Sequence, residues 1–153
     1  MLETFRIFLM VIGGLQALLM FIDEGIFHHG RGLGAFERWG HVADTSLFLA
    51  ALLVPAFCLP TQASMAAFIV LGCASCLLIT KDEWIHSEAC KPVEQWCHAM
   101  LFIMHGPILG LIGLVWYLGP NSWELKALPA AVLVFGIYQH LYWNVYNVRS
   151  NDK

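Results

Sequence analysis

Residues 5–27 read FRIFLMVIGGLQALLMFIDEGIF, an apolar run long enough to cross a bilayer as a helix, broken only by Gly13-Gly14 and Gln16. It ends in a cluster that continues Asp23-Glu24-Gly25-Ile26-Phe27-His28-His29. Four more runs follow: Trp39 to Leu59, Ala63 to Ile85, Trp96 to Leu118 and Leu125 to Val145. Leu59-Pro60-Thr61 and Gly119-Pro120-Asn121 punctuate them. The pattern predicts an all-α integral membrane protein of five transmembrane helices joined by short loops. A single transmembrane domain, 1–153, accounts for the chain, and no linker or soluble domain is left over.

Composition agrees. Charged residues are 12% of the chain and hydrophobic residues 59%, whereas a soluble domain is roughly one-quarter charged. This excludes disorder, a basic nucleic-acid-binding domain and an ordinary cytosolic enzyme. The first run has only Arg6 before it and no small-x-small cleavage site, and it carries acids at its far end, so it is expected to be retained.

Lysine and arginine are unevenly placed. With five spans, one side holds Arg6 and Lys126, and the other Arg31, Arg38, Lys81, Lys91, Arg149 and Lys153. The positive-inside rule makes the second side cytoplasmic in a bacterial-type inner membrane, with the N-terminus outside and the C-terminus inside. Trp39, Trp84, Trp96 and Trp143 fall near one interface, and Trp116 and Trp123 near the other.

The polar residues of so apolar a chain are not scattered. Asp23-Glu24 with His28 and His29, then Glu37-x-Trp39-x-His41, is echoed by Asp82-Glu83 with His86, then Glu94-x-Trp96-x-His98. The second halves align without a gap; the first need one, which leaves His28 and His29 as alternatives. Two hairpins in the same orientation form a parallel repeat, about 5–59 and 63–118, with an extra helix at about 125–148. The first four helices are expected to form a bundle with pseudo-two-fold symmetry.

Spacing gives the pattern its chemistry. Glu24 and His28, Glu37 and His41, and Glu94 and His98 are each i, i+4, and Glu83 and His86 are i, i+3, so each pair shares a helix face. Counted inward from the loops, all eight converge at one end of the bundle. Buried charge in a membrane is costly, and a cation would offset it. Carboxylate with imidazole is a ligand mixture for iron, manganese or zinc. The expected cofactor is therefore two metal ions, iron favoured, bound by Glu24, His28, Glu37, His41, Glu83, His86, Glu94 and His98. Soluble di-iron bundles use isolated Glu and Glu-x-x-His; here the analogy is chemical, and no family pattern carries it.

Asp44, three residues after His41, and the deeper His105 and His140 are candidates for the surrounding shell. Cys58, Cys73, Cys76, Cys90 and Cys97 make no disulfide framework; Cys73-x-x-Cys76 lies inside an apolar helix and reads as packing. Gly30-Arg31-Gly32-Leu33-Gly34 lacks the preceding strand of a phosphate loop and reads as a helix end and tight turn. Tyr138, Tyr142, Asn144 and Tyr146 read as an interfacial belt.

The function expected is a metal-dependent oxidoreductase working on O₂, a reactive oxygen species or a small or lipid-soluble substrate. The alternatives are a zinc-dependent membrane hydrolase, a b-type haem carrier with His41 and His98 as axial ligands, and a metal transporter or sensor. Haem leaves the paired glutamates without a role, and the apolar outer half disfavours transport. Partners are then the lipid bilayer, the substrate and an electron donor that no motif names. No nucleic acid is expected, and no motif sets the oligomeric state.

Overall fold

The computed structural model describes residues 1–83 and 90–147. Among these there is no strand. Helix α1 spans Leu2–Ile22 and continues through a wider, π-helical segment, Asp23–His28, and a last turn, His29–Arg31. Helix α2 spans Ala35–Phe57, and α3 spans Gln62–Leu78 with a 3₁₀ turn at Ile79–Asp82. Helix α4 spans Pro92–Leu118, and α5 spans Glu124–Leu141 with a second π-helical segment at Tyr142–Tyr146. The first four are long and apolar enough to cross a membrane. The polar end of α5 (Tyr138, Gln139, His140) lowers its hydropathy.

The chain itself specifies where the helices begin and end. Gly32, at φ +79°, ends α1 in a backbone conformation open to glycine. Gly34 then leads into α2, and Glu37 in the first turn accepts the Gly34 N–H at 3.2 Å. Thr61 and Ser64 cap α3 reciprocally, at 3.3 and 2.9 Å. Pro92 opens α4, where its missing N–H and fixed φ suit the first helical position. Glu37 and Glu94 thus both stand third in their helices, where a carboxylate complements the helix N-terminus.

Helix α2 packs between α3 and α5, α1 packs on α4, and α3 packs on α4. Leu9, Leu52, Phe68, Ile112, Val115 and Trp116 form the buried core. At the end away from Glu37 and Glu94, Trp116 Nε1–H donates to the Cys58 carbonyl at 2.8 Å, and Arg6 donates to buried Glu124 at 2.7 Å. Large apolar side chains such as Phe8, Val11, Leu77, Ile103 and Val134 point outward, as lipid contact requires.

The contact of α2 with α5 depends on a small residue. A Cβ at Gly136 would lie 2.8 Å from Thr45 Cγ2. Thr45 cannot turn away freely, because its χ1 is stiff and its hydroxyl donates to Gln139 at 3.2 Å. Gly136→Ala should therefore lower the thermal midpoint in detergent: overpacking costs roughly 1–3 kcal/mol, against about 1 kcal/mol gained in helix propensity. Adding Thr45→Ser, which removes the clashing methyl, should restore it.

Candidate metal centre

The π-helical segment at the end of α1 organises the centre. In an α-helix, residues i and i+4 share a face, while i and i+5 do not. Here the His29 N–H reaches back to the Glu24 carbonyl, five residues away. The wider turn brings both Asp23 and Glu24 onto His28: Asp23 Oδ2 lies 3.3 Å from His28 Nε2, and Glu24 Oε2 lies 3.3 Å from His28 Nδ1. Such segments recur at functional sites.

Asp23 also reaches α4, with Oδ1 3.2 Å from His98 Nε2. Glu94, one turn earlier on α4, completes a group of four. Asp23, His28, Glu94 and His98 are all buried, and one ligand atom from each lies within 4.8 Å of all the others. Bonds of about 2.0–2.2 Å put the ligand atoms of one ion roughly 3–4 Å apart, close to the 4.8 Å span of this group. Neither His28 Nε2 nor Asp23 Oδ1 has a hydrogen-bond partner among the described residues. Each nonetheless lies within ion-pair distance of the other residues of the group, His28 Nε2 of Asp23 Oδ2 and Asp23 Oδ1 of His98 Nε2. The group could hold a metal ion.

Glu24 stands behind this group. Its Oε1 accepts from Trp143 Nε1 at 2.5 Å, and its Oε2 accepts from Gln139 Nε2 at 3.1 Å and faces His28 Nδ1. A proton on Nδ1, donated to Glu24, leaves the Nε2 lone pair turned toward Asp23 and His98. This is the carboxylate–histidine arrangement that fixes the tautomer of a ligating imidazole. His29 faces elsewhere: its Nδ1 meets the Glu24 carbonyl at 2.6 Å, and its ring lies 4.5 Å from that of Tyr142. Of the two adjacent histidines, His28 joins the group.

Glu37 is held differently again. Arg31 forks onto it with contacts of 2.8 and 3.1 Å, and also donates from Nε to Glu94 at 3.2 Å. A bidentate guanidinium pair is among the stronger ionic hydrogen-bonded arrangements, and here it ties the first turn of α2 to that of α4. The His41 ring lies 5.0 Å from that of His28, and the His98 ring 5.7 Å from it.

Of the expected ligands, His28, Glu94 and His98 join Asp23 in the buried group, Glu24 and His41 lie against His28, and Glu37 is held by Arg31. Glu83 is exposed at the end of α3, and His86 lies outside the described residues. Asp44 pairs with Lys81. His105 lies deeper, with Nε2 2.9 Å from Ser75 Oγ and its ring 4.6 Å from Phe48. His140 turns to Trp39, at a ring distance of 5.8 Å. Buried Cys97 adjoins His98 but is not part of the four-residue group. Burial and the neighbouring Glu94 carboxylate push the Cys90 thiol up to about 12.

Asp23 was not among the ligands expected from spacing, because an i, i+5 pair looks misplaced on an α-helix. The signal was there in the duplicated Asp-Glu pair. The last helix, expected to be extra, supplies Gln139 and Trp143 to Glu24.

A cavity of about 300 Å³ begins at Asp23, His28, His41 and His98 and runs along the bundle between α1, α2, α4 and α5, with Ile79 its contribution from the third helix segment. Its wall is overwhelmingly apolar, so the polar group sits at one end of an apolar space.

Arg31→Met should leave Glu37 and Glu94 buried without their guanidinium. For a pair of this burial a loss of up to roughly 3 kcal/mol is expected, read as a lower thermal midpoint in detergent. A divalent cation should recover part of the loss in Arg31→Met, since it neutralises Glu94. No protein family, curated protein or solved structure matches this chain, so what the centre does is read from its own residues.

Proposed function

We propose that the chain is an integral-membrane, metal-dependent oxidoreductase whose centre lies at the cytoplasmic end of the bundle. The observation that carries this reading is the buried Asp23, His28, Glu94 and His98 group, of which Asp23, His28 and His98 line a largely apolar cavity. Two imidazoles with two carboxylates suit iron first, and manganese or zinc next. The group has room for one ion. The second of the two ions expected from the repeat would take His41 and Glu37, and for that Arg31 has to leave Glu37.

Iron bound there would supply one-electron exchange with O₂, a reactive oxygen species or a lipid-soluble substrate. The chain's own residues do the rest. Glu24 orients His28 through Nδ1, Trp143 and Gln139 fix Glu24, and Arg31 balances the charge of Glu37 and Glu94. The apolar wall keeps bulk water from the ligands, which strengthens every ionic contact at the centre. Asp23 facing both His28 and His98 gives the histidines a carboxylate co-ligand, which favours a metal ion over haem.

Protein purified in detergent should contain one or two irons per chain and show no Soret band. Asp23→Asn and His98→Ala should abolish binding in competition with a chromogenic chelator. Glu24→Gln, acting only through His28, should weaken affinity 10- to 100-fold. A Soret band would establish haem instead, zinc alone would establish the hydrolase, and absence of any metal sinks the reading.

A further inference from the structure

The shape of the cavity says more about what it takes. Its lining runs from Asp23 to Gly13 on α1, from Gln139 to Leu128 on α5 and from His98 to Ile112 on α4. At 1.5 Å per residue these stretches are about 15, 16 and 21 Å long. A volume of about 300 Å³ drawn out over that length is elongated rather than round, the shape that an extended hydrocarbon chain fills.

The polar groups are arranged as such a ligand requires. Asp23, His28, His41, Asp44 and His98 stand at one end, and no lysine or arginine lines the cavity. Further in, Thr45 and Gln139 are bonded to each other, His105 is bonded to Ser75, and Gln16 is the remaining polar side chain. The far end, at Gly13, Ile112 and Leu128, is apolar. Ala17, Phe21 and Ala131 line the cavity and are also exposed on the outer surface, so it opens sideways between α1 and α5 onto the apolar belt. A ligand dissolved in the bilayer can pass through that opening without crossing water. Because lipid tails are as apolar as the wall, fit rather than hydrophobicity selects the occupant.

We propose that this cavity binds a single unbranched acyl chain of a membrane lipid, its methyl end toward Gly13 and Leu128 and its polar end at Asp23, His28 and His98. That this chain is the substrate rests on the metal reading above; that it binds does not.

Photo-crosslinking in proteoliposomes tests the site. One arm uses a 16-carbon fatty acid with a diazirine near its methyl end, and the other uses phosphatidylcholine carrying the same acyl group. Crosslinks should map to α1 near Gly13 and α5 near Leu128, and the arm that gives them identifies the free acid or the phospholipid as the source. Excess palmitate or its phospholipid should compete, and cholesterol should not. Ala131→Trp and, separately, Ala17→Trp should reduce these crosslinks at least tenfold with metal content unchanged. Crosslinks confined to outward positions such as Phe8 and Val11, or competition by cholesterol, overturn the proposal. Metal content measured on the same preparations separates the two readings. Interior crosslinks without metal remove the oxidoreductase alone, and metal without interior crosslinks removes the acyl site alone.

Discussion

Four carboxylates, Asp23, Glu24, Glu37 and Glu94, are each 3–4% exposed at one end of an otherwise apolar bundle, and the structure around them is organised by the need to compensate that charge. An unpaired buried carboxylate costs several kcal/mol even after relaxation. The chain meets this in three ways. Arg31 spans Glu37 and Glu94, neutral donors from Trp143 and Gln139 converge on Glu24, and His28 and His98 flank Asp23. One arginine cannot balance four carboxylates. The Asp23, His28, Glu94 and His98 group could hold a metal ion, and a divalent cation there would supply the remainder.

The same constraint explains the order of the helices. The end of α1 widens into a π-helical segment, which brings Asp23 and Glu24 together onto one imidazole. The first turns of α2 and α4 stand beside it, each with a glutamate in third position and a histidine four residues on. Helix α5 reaches back to close Glu24 from behind, and α3 packs on the outside of α2 and α4. At the opposite end, Arg6 with Glu124 and Trp116 with the Cys58 carbonyl hold the helices with few other polar groups.

Much of this was legible in the sequence, for physical reasons that differ from residue to residue. Four of the five expected spans are helices long and apolar enough to cross a membrane, legible because unbroken apolar length is a local property; the fifth helix falls short through its polar end. Glu37 with His41 and Glu94 with His98 were legible because an i, i+4 pair shares a face on any regular helix. Asp23 was hidden because its register belongs to a local departure from the α-helix. Arg31 read as part of a loop, since nothing in its spacing announces a guanidinium held between two helices. Trp143 read only as an interfacial tryptophan and Gln139 drew no reading, because their partner lies 119 and 115 residues away. The cavity left no mark in the pattern at all, since its wall is made of the same apolar residues as a packed core.

The arrangement also separates two routes to one place. On the loop side, Gly30, Gly32 and Gly34 with Arg31 and His29 line a polar pocket beside Trp143, where backbone groups and a guanidinium meet water. On the bilayer side, the apolar cavity opens between α1 and α5. The ligands of the centre lie where these two environments come closest, behind Arg31 and at the head of the cavity. Under the proposed function an ion and a proton would arrive through one medium and an acyl chain through the other, so neither would traverse the wrong solvent. If the site combines a charged cofactor with a lipid-soluble substrate, as proposed, solvation alone requires it to sit near the end of the bundle.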